Sequence, residues 1–170
     1  MNARGKTVLF ILILGALTGC SSFLHTKPDA TADNLSLTSA NAQLPLDARK
    51  ARISFAYEPV KSLNVQEDAS VYLLVTNLGS VTWPYLGERS GKYQIRIGNR
   101  WIDDKGNAKD DGRASLPYDL RPGETAEILI GVTAPEMPGE YTLEFDLVQE
   151  QVAWFGESGS ATLRASVHIE

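Results

Sequence analysis

The sequence predicts an all-β protein, built as an antiparallel β-sandwich of about seven strands. Three observations carry this. Apolar residues recur at every second position in several runs, Pro and Gly separate those runs, and no stretch of ten or more residues holds a helical apolar stripe. Short strands with one apolar face each need a second sheet to cover that face, and two packed sheets are the economical solution.

The elements follow in chain order. Ile53, Phe55 and Tyr57 alternate with Arg52, Ser54 and Ala56, and Val71, Leu73 and Val75 form a second run. Tyr93, Ile95 and Ile97 open a third that ends near Trp101. The clearest runs are the last three: Ala126, Ile128, Ile130 and Val132, then Tyr141, Leu143, Phe145 and Leu147, then Leu163, Ala165, Val167 and Ile169. Their intervening residues, Glu127, Glu144, Asp146, Arg164 and His168, are expected to face water. Pro122-Gly123 and Pro138-Gly139 each set a fixed-φ residue before one that tolerates positive φ, as a type II turn requires, and Gly106, Gly112 and Gly159 mark further breaks.

One detail points to an immunoglobulin-like sandwich. Tyr141 lies just after a Pro-Gly pair and two residues before Leu143, where a tyrosine corner stands relative to the second core cysteine of an antibody domain. Leu143 replaces that cysteine, so packing alone must hold the sheets, with Trp83 as the expected plug between them.

Composition narrows the function. The 170 residues are 43% hydrophobic and 22% charged, with one cysteine, which excludes an internal disulfide framework and a cysteine-rich zinc site. Asp and Glu number 21 against 16 Lys and Arg, a balance that argues against a nucleic-acid partner. At the N-terminus Arg4 and Lys6 precede an apolar run from Thr7 to Leu17, a secretory signal too short to span a bilayer.

Leu17-Thr18-Gly19-Cys20 closes that run and resembles the lipobox of bacterial lipoproteins. The resemblance implies cleavage before Cys20, a diacylglycerol on its sulfur and a further acyl chain on the new amine, a firm anchor because each buried CH2 contributes about 0.8 kcal/mol. Ser21 after the cysteine looks like a permissive outer-membrane sorting residue, so the protein is expected in the outer membrane, facing the periplasm. Loss of the leader leaves 14 basic against 21 acidic groups, which favours solubility and repels anionic headgroups. The expected division is a signal peptide over residues 1–19, a lipidated cysteine with a flexible tether over 20–48, and the sandwich over 49–170. Leu35, Leu37, Leu44 and Leu46 are the tether residues that could instead dock on the domain.

Three further segments carry a family resemblance. Asn77-Leu78-Gly79-Ser80-Val81-Thr82-Trp83-Pro84 is similar to the Asn-x-Gly-x-x-x-Trp-Pro signature of the immunoglobulin-like domain of a selective-autophagy receptor, named for four tryptophans. Leu120 to Glu124, Thr133 to Pro135 and Pro138 to Tyr141 resemble its two Pro-Gly turns and the strand between them. Asp146 to Glu150 with Trp154-Phe155 resembles accessory domains attached to some bacterial glycosyltransferases. Leu73 stands where the first signature Trp would be. The resemblance implies an interaction or spacing module, and fold by itself does not settle function.

Reactive chemistry is sparse. His25 lies in the tether and His168 alternates with core positions near the terminus, so neither finds a nucleophile or a metal partner in sequence. Asp146 and Glu150 are the carboxylate pair a glycosidase would need, but an extended strand sets them about 13 Å apart. Asp103 to Gly112 is the densest acidic segment, yet it lacks EF-hand spacing and reads as a polar hairpin tip rather than a calcium loop. Trp154 and Phe155 are the candidate surface for a ligand or partner, although neighbours on a strand point to opposite faces and one is expected in the core. The expected function is therefore a non-enzymatic protein-binding or assembly module of the cell envelope, with no cofactor and no metal. Carbohydrate binding in polysaccharide assembly or export, and carboxylate-dependent glycoside hydrolysis, are the alternatives.

Overall fold

A computed structural model describes residues 42–170; Cys20, His25, Leu35 and Leu37 lie outside the described residues. Among the described residues nine strands run in order: β1 (Ala51–Phe55), β2 (Ser62–Leu63), β3 (Asp68–Asn77), β4 (Ile95–Ile102), β5 (Ala108–Ser115), β6 (Thr125–Thr133), β7 (Gly139–Gln149), β8 (Ala153–Trp154) and β9 (Leu163–Ile169). Seven of them have five or more residues. They form two sheets, β1-β3-β6 and β2-β9-β7-β4-β5, with β8 paired to β7. The all-β sandwich expected from alternation is thus the fold. Pairing is antiparallel except for β2, which runs parallel to β9.

The alternating residues meet between the sheets. Val71, Leu73 and Val75 from β3 and Ala126, Ile128, Ile130 and Val132 from β6 are buried against Ile95, Ile97, Leu143, Phe145, Leu147, Val167 and Ile169 from the larger sheet. Phe55 packs its edge on Phe145 across the gap, ring centroids 5.9 Å apart. Trp83 is fully buried and bonded to Leu120 through both backbone groups, and its ring meets Phe155 edge-on at 5.3 Å. Tyr141 donates its hydroxyl to the Met137 carbonyl at 3.1 Å, the upstream backbone contact of a tyrosine corner.

Several expectations require correction. Tyr57 lies beyond β1 and is exposed, and Tyr93 takes φ 68° just before β4 instead of opening it. Gly123 sits at φ 82° in a turn closed by Glu124 N–H on Arg121 carbonyl, but Gly139 already opens β7 opposite Ile169 and makes no such turn. The acidic segment is only partly a hairpin tip, because β5 begins at Ala108 and carries Lys109 to Gly112 as an edge strand. Packed chain also extends N-terminal to Arg49. Leu44 and Ala48 are buried in the core, Gln149 takes the Leu44 N–H on Oε1 and donates Nε2 to the Ala42 carbonyl, and Trp83 Nε1 donates to the Ala48 carbonyl. Leu46 is exposed.

Candidate functional site

Three surfaces bear on function, and the first is where sequence pointed. Phe155 turns inward and is fully buried, so it cannot join a surface platform, while Trp154 lies on the outer face of the large sheet, half-buried. Beneath Trp154 is Gly98 of β4, where a Cβ would come within 2.7 Å of the indole edge. The Arg100 and Arg113 guanidinium carbons lie 4.5 and 4.3 Å from the indole centroid. The strap from Ala153 to Ser158 thus pairs with the end of β7 through β8 and sends the Trp154 indole back across the outer face of the sheet.

That strap reverses the expectation that Glu144 and Asp146 face water; both are buried, at 4% and 1% exposure. They do occupy the outward slots of β7, but the slots are covered. Register sets Asp110, Arg100, Glu144 and Arg164 in one row across four strands, alternating in charge. Arg100 Nε reaches Glu144 Oε1 at 3.0 Å, and Arg164 Nε and the Thr162 hydroxyl donate to Glu144 Oε2. Asp146 Oδ2 accepts the Gly156 N–H at 2.8 Å and lies 3.7 Å from Arg100. Burial pushes the Asp146 carboxyl up to about 6, against the backbone donors and Arg100 that pull it down. Glu150 is a partner of Arg96 and Arg113 at 3.7 and 3.6 Å. These carboxylates are tied to arginines under a lid, an arrangement that fixes the strap and gives a glycosidic bond no cleft between them.

The other candidate residues from the sequence, Asp103 and His168, are similarly occupied. Asp103 accepts from the Lys105 and Asn107 N–H groups and the Asn107 amide, closing its own turn. No group of three or more His, Cys, Asp or Glu among the described residues could hold a metal ion. His168 Nδ1 lies 2.6 Å from Glu140 Oε1 on an exposed strand face.

The second surface is the outer face of the small sheet. Tyr72 is opposite Leu129 in register, Leu74 is next along β3, and Tyr57 meets Tyr72 edge-on at 5.4 Å. Tyr57, Tyr72 and Leu129 are 66%, 43% and 49% exposed, so these apolar side chains form a contiguous, uncovered patch. Arg52, Ser54, Thr76 and Glu127 surround it. Sequence reasoning missed this patch, although Tyr72, Leu74 and Leu129 stand in the slots where alternation calls for polar residues.

The third is a cleft of about 400 Å³ at one end of the sandwich, between the β4–β5 hairpin and the β6–β7 corner. Its walls include Trp101, Tyr141, Met137 and Pro135, with Asp110 and Glu136 at the rim. The volume falls in the range of small-ligand pockets.

No protein-family model matches the chain, and no curated protein matches it. Among solved structures it is similar to the CARDB domain of the PF1109 protein from Pyrococcus furiosus in complex with di-metal ions, at 14% identity and TM-score 0.43 over 71% of this chain and 86% of that one. The solution structure of the same domain gives TM-score 0.41 at 14% identity, over 71% and 92%. A family 123 glycoside hydrolase from Clostridium perfringens gives 0.37 at 10% identity, over 71% of this chain and 27% of that one. Likenesses this loose carry neither residues nor activities across.

Proposed function

We propose that the chain is a lipid-anchored cell-envelope protein whose sandwich serves as a non-enzymatic protein-binding or assembly module. The uncovered apolar face of Tyr57, Tyr72, Leu74 and Leu129 carries this reading. A flat sheet face rimmed by polar groups suits a macromolecular partner, whereas small ligands need a concave site. The leader supports the location: Leu17-Thr18-Gly19-Cys20 supplies a thiol for acylation, and Ser21 favours the outer membrane. The carbohydrate reading rested on Trp154 and Phe155 as a platform, and burial of Phe155 leaves only a clamped indole. Hydrolysis rested on Asp146 and Glu150, both now engaged with arginines.

The test uses a photo-crosslinking amino acid at Tyr72 or Leu129 in intact cells, with Arg164 on the opposite outer face as control. A discrete protein adduct from the two face positions and none from Arg164 is expected; equal labelling from all three, or none, would count against the reading. Cys20→Ala should move the protein from the membrane pellet to the soluble fraction, and continued pelleting after a carbonate wash would remove the anchor.

A further inference from the structure

The apolar sheet face leaves the cleft at the end of the sandwich unaccounted for. Its position comes from how the two sheets close. On the β5 side, Thr133 N–H donates to Asp111 Oδ2, and Asn99 spans the bulge in β5 by donating to Asp111 and accepting from Gly112 N–H. Gly112 approaches so closely that a Cβ there would stand 2.4 Å from the Gly131 carbonyl oxygen. Past this seam, towards Asp103, the sheets diverge and the cleft opens, with Ala108 to Asp110 of the edge strand β5 along one wall and Ala134 to Met137 along the other.

Two independent features describe what would fill it. One is an apolar wall, formed by Tyr141, Met137 and Pro135 with Trp101, 4% exposed, behind them. Such a wall favours an occupant that brings apolar side chains. The rim, in turn, carries four carboxylates, Asp103, Asp110, Asp111 and Glu136, against the single ammonium of Lys109. Of the four, only Asp110 is ion-paired, with Arg113 at 3.0 Å. The occupant must therefore bring apolar surface for Tyr141, Met137 and Pro135, and positive charge.

We infer that the cleft binds an extended, basic peptide segment of another protein, laid along β5 with apolar side chains against the Tyr141, Met137 and Pro135 wall and Lys or Arg side chains at the Asp110 and Glu136 rim. An edge strand is a ready template for such a segment. A sugar fits less well, because stacking needs an open aromatic face and Trp101 presents almost none, its ring being met edge-on by Tyr141 at 6.2 Å. This site is separate from the small-sheet face, so either can fail alone.

The test takes the full-length chain in detergent, labelled with 15N at its three tryptophans and with the indole signals assigned by triple-resonance spectra. The probe is a capped heptapeptide, Ala-Val-Lys-Val-Lys-Val-Ala, beside counterparts with Gln or Glu in place of both Lys. Titration with the Lys peptide should move the Trp101 indole signal while those of Trp83 and Trp154 stay in place. The Gln peptide should bind at least ten-fold more weakly and the Glu peptide not at all. The pair Asp110→Asn with Glu136→Gln, both exposed, should weaken the Lys peptide about ten-fold, with an unmoved signal from the buried Trp83 certifying the fold. No movement at millimolar Lys peptide would overturn the inference. So would equal movement by the Gln or Glu peptide, indifference to the double variant, or movement by a chito-oligosaccharide alone.

Discussion

Trp154 and Phe155 are adjacent and chemically alike, yet they occupy opposite sides of a sheet, and their removal should have different costs. Phe155 fills the core against Trp83, so Phe155→Ala should cost about 3–5 kcal/mol through lost burial and a cavity. Trp154 is held by two guanidinium contacts on a half-open face, and Trp154→Ala should cost about 2 kcal/mol. Urea midpoints should rank wild type above Trp154→Ala above Phe155→Ala; a reversed order would show the clamp to be the stronger element. Asp146 carries the pH dependence at this scale. Its folded value of about 6 lies above the ordinary 3.8, so between those values the native state keeps a proton that the unfolded chain has lost. Its contribution is thus fully present below about pH 4 and falls away as pH rises towards 6, by roughly 1–2 kcal/mol after allowance for solvent screening. Asp146→Asn should flatten that slope, because an amide oxygen still accepts the Gly156 N–H without a titrating charge. Chemical denaturation of both proteins at pH 4, 5, 6 and 7 would show it.

Among the elements, the loop from β3 to Trp83 shows why a motif has its spacing. Asn77 is fully buried at the end of β3; its amide donates to the Val81 and Leu120 carbonyls at 2.9 and 2.8 Å and its oxygen accepts the Gly79 N–H. Gly79 lies so near the Ala48 carbonyl that a Cβ would stand 2.1 Å from its oxygen, and Trp83 Nε1 bonds that same oxygen at 2.8 Å. Asn, Gly and Trp at these separations thus grip one backbone carbonyl and one loop, a structural role. Asn77→Ala should cost about 2–4 kcal/mol, since it leaves buried backbone groups unpaired. Gly79→Ala should cost at least as much, because its obstacle is backbone and cannot swing aside. Thermal melts of the two variants check both values, and a change under 1 kcal/mol in either would contradict this reading of the loop.

At the level of the whole molecule, the chain enters the described body at Ala42, bound by Gln149 at the end of β7, whereas the cleft begins at Tyr141 near its start. Eight residues of strand separate them, about 27 Å. An anchor at Cys20 would thus pull on one pole and leave the cleft at the other. The entry segment is also part of the core, because Leu44 and Ala48 are buried and cap Gln149 and Trp83. A chain beginning at residue 49 should consequently be about 3 kcal/mol less stable than one beginning at residue 42, from the lost Leu44 side chain and the freed polar groups. Equal melting temperatures for the two would return the boundary to Arg49.

Period-two alternation determined the all-β class, six of the long strands and most of the core, since a residue in a pleated strand needs only its position to know its face. The strand β5, Ala-Lys-Asp-Asp-Gly-Arg-Ala-Ser, escaped that logic because an edge strand has little to bury. The likeness of Leu17-Thr18-Gly19-Cys20 to a lipobox was legible as a resemblance from its residues alone. Whether an outward slot is wet was not, because that depends on what returns over it: Trp154 and four arginines cover Glu144, Asp146 and Glu150, while nothing among the described residues covers Tyr72 and Leu129. Cleft and patch alike arise where segments far apart in the chain converge or fail to converge. Local periodicity records only which side of its own strand a residue takes, so those two surfaces were decided by tertiary packing.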